Sequence, residues 1–577
     1  MNEWNLKDLF KSDKELEIHA KKIQKRAKKF QKRYKNSIKS LTPKEFLKAL
    51  QEYEEILNSI ARAATYAFLK FAKDSNKGAF YASYSQKFTS IQEDLLFFEL
   101  SFNKLPAKKQ NLIIKKSKRY KFYLTSLKKE KKHQLSQKEE KILLKKSLTS
   151  SHAFSRLFDE HFSRLKFTFE DEKLSEEEIL SKLYSNNRKI RKKAAKSLSK
   201  ELKKNIYLTS YIYNMIKTDL KIECNIIRRY SSVEEPRHID NKISQKSVDA
   251  LIKTTQKNFH LSKEYYEIKR EILGYKTLYD YDRYAPYEEE SDKIEFEEAK
   301  EMVLEAFKSF DKSFYNIAKK AFDEGWCDVF PTPRKRGGAF AHPASTDTHP
   351  FVMLNYTKQR RDIFTIAHEI GHAIHQYLSR DVGYLGSDTP LTTSETASVF
   401  AEMILFEHMK KISKKDELLP IYGGKLEDIF ATLFRQIIFT VFERRVHSHE
   451  GELSVETFNK FWMEENRKMF PESLKFTKGY ELWWSYIPHF IHTPFYCYAY
   501  SYGQLLVMAI YGLYKKGSEN FMENYIRFLS SGGSKSPKEL IEAFGFDIED
   551  EKFWQIGMDE VKKLLEEFKE LRDEYTS

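Results

Sequence analysis

Cysteine is scarce: Cys224, Cys327 and Cys497 are the only three among 577 residues, and none sits in a C-x-x-C pair. They are too few for a disulfide framework and argue against a cysteine-ligated structural zinc, so a reducing compartment is expected. Glycine (19) and proline (14) are also sparse, which excludes collagen-like, linker-rich and turn-dense all-β designs. The opening MNEWNLKDLF carries early acidic residues and no apolar stretch of signal-peptide length, and the expected location is the cytoplasm. Charge is missing from one long segment, Leu482–Tyr514, which contains no Asp, Glu, Lys or Arg. A membrane span would be more uniformly aliphatic than a run holding His489, His492, Pro488, Pro494, Gln504 and many tyrosines, so no membrane partner is expected. The segment reads instead as the buried polar-aromatic wall of a cleft.

Elsewhere charge is plentiful and uneven. With 41% hydrophobic and 32% charged residues the composition is that of a soluble globular protein, and the length suggests more than one subdomain. The formal net charge is +16, yet residues 1–200 hold 48 basic against 24 acidic side chains and the remainder 52 against 60. The sequence therefore divides into a basic N-terminal helical region, 1–200, and a slightly acidic region, 201–577. The excess concentrates in Lys21–Lys35 and Lys108–Lys132. In the first run Ile23, Ala27 and Phe30 recur at helical spacing, which makes the lysines a solvated helix face. No RNP-like or zinc-finger pattern accompanies them, so nucleic acid is not an expected partner.

Apolar residues recur every three or four positions over Pro43–Asp74, with Thr42, Pro43 and Glu45 as a helix start. A further helix is expected near Ser175–Leu183. The helical pattern runs on through 201–325, apart from a break near Glu234–Asp240 and a turn-rich stretch at Leu278–Pro286. The texture changes at 330–356, where two short strands are expected near Gly338–Ala341 and Phe351–Asn355. Helix returns from about Arg361 with interruptions at Gly383–Pro390, Pro420–Gly424 and Ser530–Ser536. The fold class is mostly α with a small β insert.

Directly after that insert, residues 365–375 contain H-E-x-x-H. On a helix, His368 and His372 lie one turn apart on one face, where two imidazoles can grip one zinc ion, and Glu369 can reach its water. His375 is about 10 Å from His368 along the axis and cannot share that ion, so it belongs to the surroundings of the site. The third ligand is expected on another helix, in TTSETASVFAE (392–402). There Thr393 or Ser394 caps the start, Glu395 is the ligand, and Glu402, two turns on, orients a ligating histidine.

HEIGHAIH (368–375), SETASVFAE (394–402), RKRGGAFAHP with HPFVMLNY (334–356) and IPHFIHTPFYCYAYSYGQ (487–504) together resemble the oligoendopeptidase F branch of the thimet-oligopeptidase-type zinc metallopeptidases. The resemblance implies a large helical two-lobed body with a deep substrate channel, one zinc ion per chain, and cleavage of internal bonds in short peptides. It implies that Gly337, Gly338, Ala339 and Phe340 form a strand pairing with substrate backbone. It also implies that His489 and Tyr498, with Tyr496 beside them, donate hydrogen bonds to the tetrahedral intermediate. Phe495 stands where the thimet-like branch has a further tyrosine. Zinc held by His368, His372 and Glu395 would activate water, with Glu369 as general base. Two other readings share parts of this pattern. One is a related zinc carboxypeptidase or dipeptidase-type exopeptidase. The other, of a different class, is a basic nucleic-acid-binding protein with an incidental H-E-x-x-H.

Overall fold

The computed structural model describes residues 2–287 and 293–576, and among these the chain is mostly helical with two small sheets. It forms two compact units, each assembled from separated stretches of sequence. The first takes residues 1–132, 291–412 and 517–544, and the second 133–290, 413–516 and 545–577. The boundary expected at residue 200 falls inside one continuous helix, Arg188–Lys221, so the change of charge there is not a change of unit.

The first unit opens with three packed helices, Asp13–Tyr34, Pro43–Lys73 and Gly78–Leu95. In the lysine-rich one, Leu16, Ala20, Ile23, Ala27 and Phe30 form a buried stripe while the lysines between them stay outside. Arg26 and Arg33 pair with Glu55 and Glu52 of the next helix at 3.0 Å, contacts that contribute little in solvent. That next helix begins as expected. The Thr42 hydroxyl accepts from the Glu45 amide at 3.3 Å, and the Glu45 carboxylate accepts from the Thr42 amide at 2.8 Å.

The insert of this unit is a three-stranded sheet in the order Cys327–Asp328, Phe351–Met353, Phe340–His342. The first pair is parallel and the second antiparallel, with Ala341 opposite Val352. Phe340–His342 is thus an edge strand. It starts two residues later than expected, because Gly338 adopts φ +79°, outside the β region. The Asn355 amide group secures that turn by donating to the carbonyls of Arg336 and Gly338 at 2.9 and 2.7 Å.

In the second unit, Phe167–Phe169 and Glu172–Leu174 form a hairpin where helix was expected. The alternating burial of Phe167 and Phe169 and the positive φ of Glu170 are what select it. Proline at 420 was expected to break the chain, yet the helix Lys415–Phe430 runs through it. The uncharged segment is mostly core: from Tyr498 to Lys515 it is a nearly fully buried helix packed on the C-terminal helix Glu551–Thr576. Only around His489–Tyr500 does it carry half-exposed polar groups, so the expected cleft wall shrinks to its first part. No described helix is long and apolar enough to cross a membrane.

The cap of Pro43–Lys73 gives a direct check. Thr42→Ala should speed hydrogen exchange of the first-turn amides about fivefold, the factor that matches a lost cap of about 1 kcal/mol. Unchanged exchange there would remove the cap from the account.

Candidate active site

Two helices of the first unit build the site. The histidine helix, Arg360–Ser379, starts where the Asp362 carboxylate accepts from the amides of Thr357 and Gln359. It buries Ile363, Ile366, Ala367, Ile370, Ala373 and Ile374 on its inner side. The glutamate helix, Leu391–Ile412, begins just after Pro390, whose carbonyl accepts from the amides of Thr393 and Ser394. Neither of those residues is therefore the cap, and Glu395 sits in the second turn rather than the first.

The helices touch backbone to backbone at Gly371. A Cβ there would lie 2.7 Å from both the Ala397 carbonyl oxygen and the Ser398 Cα. Small residues on both sides thus let the ligand-bearing faces meet. From behind, the Tyr525 hydroxyl donates to the Thr396 carbonyl at 3.0 Å, and the Tyr525 ring packs on Phe400.

The resulting donor set is compact. Ligand atoms of His368, His372 and Glu395 all lie within 4.8 Å of one another. One carboxylate oxygen of Glu395 is 3.3 Å from His368 Nε2 and 3.4 Å from His372 Nε2. The other face of His368 is held by Glu402, 2.6 Å from Nδ1, which fixes the tautomer with the Nε2 lone pair aimed at the cluster. The Ser398 hydroxyl donates to Glu395 Oε2 at 2.8 Å, a steering contact the sequence reading missed although it lies one turn on from Glu395. Burial alone would lower the His368 pKa, but the hydrogen bonds that its ring donates to the Glu395 and Glu402 carboxylates, and their charge, raise it to about 10. Against its own desolvation, Glu395 is held well below the usual carboxylate range by the same two imidazoles. Two imidazoles and a carboxylate converging on one point are a tetrahedral zinc set with one position left for solvent or substrate, so the residues present fit the metal.

Glu369 follows His368 in the chain and is 7% exposed, with Oε2 lacking any partner among the described residues. Desolvation pushes its pKa up, the environment of a proton-transferring carboxyl. His375 is buried, its pKa lowered to about 4 by desolvation, and it contacts the Ser394 backbone rather than the ligand cluster.

Glu369 and His372 open onto a cavity of about 1180 Å³. The edge strand forms one wall, with the Ala341 carbonyl accepting from Gln376 Nε2 at 3.0 Å. Ala339 and Phe340 line it too, whereas Gly337 and Gly338 do not. Another wall comes from the basic N-terminal region, through Ile60, Thr65, Phe68 and Tyr81, which the sequence reading left out of the chemistry.

The remaining expected residues lie in the second unit. Here the grouping differs from expectation. Tyr498 is fully buried, and its hydroxyl is taken up by Asn241 Nδ2 and His238 Nδ1, both at 2.9 Å. Tyr500 instead lies beside His489, hydroxyl to Nε2 at 3.3 Å, and Tyr496 packs near both rings. Tyr496 precedes the helix that begins at Tyr498, yet its ring, like that of Tyr500, lies beside His489, while the Tyr498 hydroxyl goes to Asn241 and His238. Burial keeps the His489 pKa below its ordinary value, and the ring is neutral at pH 7.

Known proteins resemble this chain over most of its length. The model of peptidase family M3 matches residues 181–560, and that of oligopeptidase F matches 102–167. An oligoendopeptidase F homolog of Borreliella burgdorferi is 30% identical over 548 residues, covering 91% of each chain. The oligopeptidase PepF of Bacillus subtilis is 27% identical over 98% of this chain and 88% of its own. Among solved structures, oligoendopeptidase-F from Enterococcus faecium superposes with a TM-score of 0.72 at 22% identity, over 97% of this chain and 99% of its own.

Two substitutions probe the cradle. Gly371→Val should separate the helices and abolish stoichiometric zinc uptake, read by metal analysis after dialysis. Glu402→Gln should keep the fold and weaken zinc affinity about 10- to 100-fold in a chelator competition. Full affinity in both would show that the contacts at Gly371 and His368 do not shape the site.

Proposed function

Because the chain belongs to peptidase family M3 and is a metallo-endopeptidase of the oligoendopeptidase F type, we propose that it hydrolyses internal bonds of short peptides using zinc held by His368, His372 and Glu395. The convergence of those three side chains beside an unpartnered, buried Glu369 oxygen carries the reading. A zinc ion in that cradle would supply Lewis-acid polarisation of the scissile carbonyl. Glu369 takes a proton from the attacking water and returns it to the leaving amine. Glu402 holds His368 in the required tautomer, and Ser398 fixes the Glu395 carboxylate.

Substrate backbone pairs along the outer edge of Phe340–His342. Val352 donates its amide to Trp326 on the far side of the sheet, so its partner Ala341 directs its own polar groups outward, where the carbonyl already accepts from Gln376 and the amide is left for substrate. Pairing of this kind recognises backbone and tolerates varied side chains. The pairing register thus centres on Ala339–Ala341, one to two residues beyond the expected Gly337–Phe340. We assign His489 as a neutral hydrogen-bond donor to the oxyanion. Of the tyrosines, Tyr500 and Tyr496 join it in preference to Tyr498, whose hydroxyl is committed elsewhere. The enzyme works in a reducing cytoplasm, in keeping with three free, buried cysteines.

Glu369→Gln should retain one zinc per chain and lower kcat by between about a hundredfold and ten-thousandfold on a quenched peptide. Wild-type turnover by that variant would refute the base assignment. Product mapping by mass spectrometry should show internal cuts, with terminal trimming alone pointing to the exopeptidase alternative. Tyr500→Phe should lower kcat about a hundredfold with the melting temperature unchanged. Tyr498→Phe should act on stability, costing about 1–3 kcal/mol by stranding His238 and Asn241. The reverse pattern would restore Tyr498 to the chemistry.

A further inference from the structure

Apart from Glu369, the fully charged side chains lining the cavity are Asp388 and Arg380. Arg380 immediately follows the histidine helix and is half-buried. Its guanidinium carbon sits 3.5 Å from the centre of the Tyr377 ring. Tyr377 stacks in turn on Trp326 at 5.3 Å, and Trp326 on His349 at 4.9 Å, so the guanidinium caps a rigid pile of rings. Among the described residues it has no carboxylate partner and donates no hydrogen bond, although Asp388 lines the same cavity. Most cations of this chain that are equally withdrawn from water do have one, as Arg228 does with Glu140 and Glu223.

The segment that follows is fixed as well. Arg119 donates to the Val382 carbonyl at 3.1 Å and to the buried Glu54 carboxylate at 2.7 Å. Glu54 also accepts from the Leu385 amide at 3.1 Å, and Gly533 donates its amide to the Gly386 carbonyl at 2.8 Å. A guanidinium stacked by its face keeps its edge N–H groups for in-plane, bidentate recognition of a carboxylate, and the stacking removes most of the conformational cost of binding.

We propose that Arg380 is a specificity-determining residue that binds a carboxylate of the peptide substrate. The proposal rests on the endopeptidase reading above. Two sources share this chemistry, a C-terminal carboxylate and an Asp or Glu side chain. The backbone of Arg380 lies eight residues beyond that of His372, about 12 Å at the helical rise, and its guanidinium folds back over Tyr377, a reach that an extended peptide covers within roughly three or four residues. The anchored carboxylate therefore sets the cleavage position within that many residues of itself.

The test uses the zinc-loaded full chain and two pairs of quenched peptides. One pair differs only in a C-terminal acid or amide, the other only in an internal Glu or Gln three or four residues from the cut. Wild type should favour the carboxylate member of one pair about tenfold or more in kcat/KM, as expected for a charge-assisted pair, with the difference residing in KM. The pair that responds identifies the source. Arg380→Met should bring that ratio to near one, and Arg380→Lys, which keeps charge without the planar fork, should give an intermediate ratio. Equal cleavage within both pairs by wild type overturns the assignment while leaving the endopeptidase reading intact, as does a wild-type ratio in Arg380→Met. Failure to cleave any internal bond with zinc bound overturns the endopeptidase reading, and the assignment falls with it. Should Arg380→Met not fold, the wild-type ratios and Arg380→Lys decide.

Discussion

Everything in the site depends on two helix backbones being allowed to meet at Gly371. With a side chain there, the Ala397 carbonyl and Ser398 Cα would be pushed back. Glu395, Ser398 and Glu402 are spaced three and four residues apart on one face, as His368, Gly371, His372 and His375 are on the other. The two stripes interlock only at close range, because a carboxylate reaches an imidazole within hydrogen-bonding distance only when the axes are near. Removing the glycine would thus shift ligand, steering hydroxyl and orienting carboxylate together. The aromatic packing of Tyr525 and Phe400 behind the glutamate helix supplies the opposing pressure.

The electrostatics follow from that closeness. Glu395 and Glu402 lie on either side of the His368 ring, and this double contact makes the ring a strong cation trap. The group raised to about 10 is the one between the two carboxylates. A divalent cation competes with a proton for the same lone pair, and it carries the greater charge into a cluster that already holds two carboxylates. Glu369 differs from its neighbours by having one oxygen with no partner in a desolvated place.

Much of this was legible in the sequence because helical spacing converts directly to geometry. The His368–His372 pair, the Glu395–Glu402 stripe and the capping box at Thr42 follow from residues four, seven and three apart. What was not legible depended on tertiary choices. The start of the glutamate helix was set by Pro390 rather than by the Thr393 or Ser394 side chains. Pro420 lies inside Lys415–Phe430, which forgoes the one backbone bond that its missing N–H would make. The strand began at Phe340 because Gly338 took a positive φ, which composition could not foretell. Among the tyrosines, Tyr496 meets Tyr500 through the turn that precedes the helix, which no helical period foretells. The resemblance drew attention to Tyr498, and the helix turns it inward to His238 and Asn241.

Net charge was the least faithful guide to function, for a physical reason. A helix averages to basic when its exposed face is lysine-rich, whatever its other face does. Pro43–Lys73 and Gly78–Leu95 belong to the basic third of the chain, yet toward the cavity they present Ile60, Thr65, Phe68 and Tyr81, none of them charged. The edge strand adds Phe340, Ala341 and His342, again without an acidic, lysine or arginine side chain. Such walls offer main-chain and apolar contacts, and the few charges on the lining stand apart from one another in kind. Glu369 is buried beside the ligand cluster with one oxygen unpartnered. Arg380, stacked and without an acidic partner, is the other charge whose surroundings are built to leave it available, and its distance from the ligands sets the scale on which a substrate is measured.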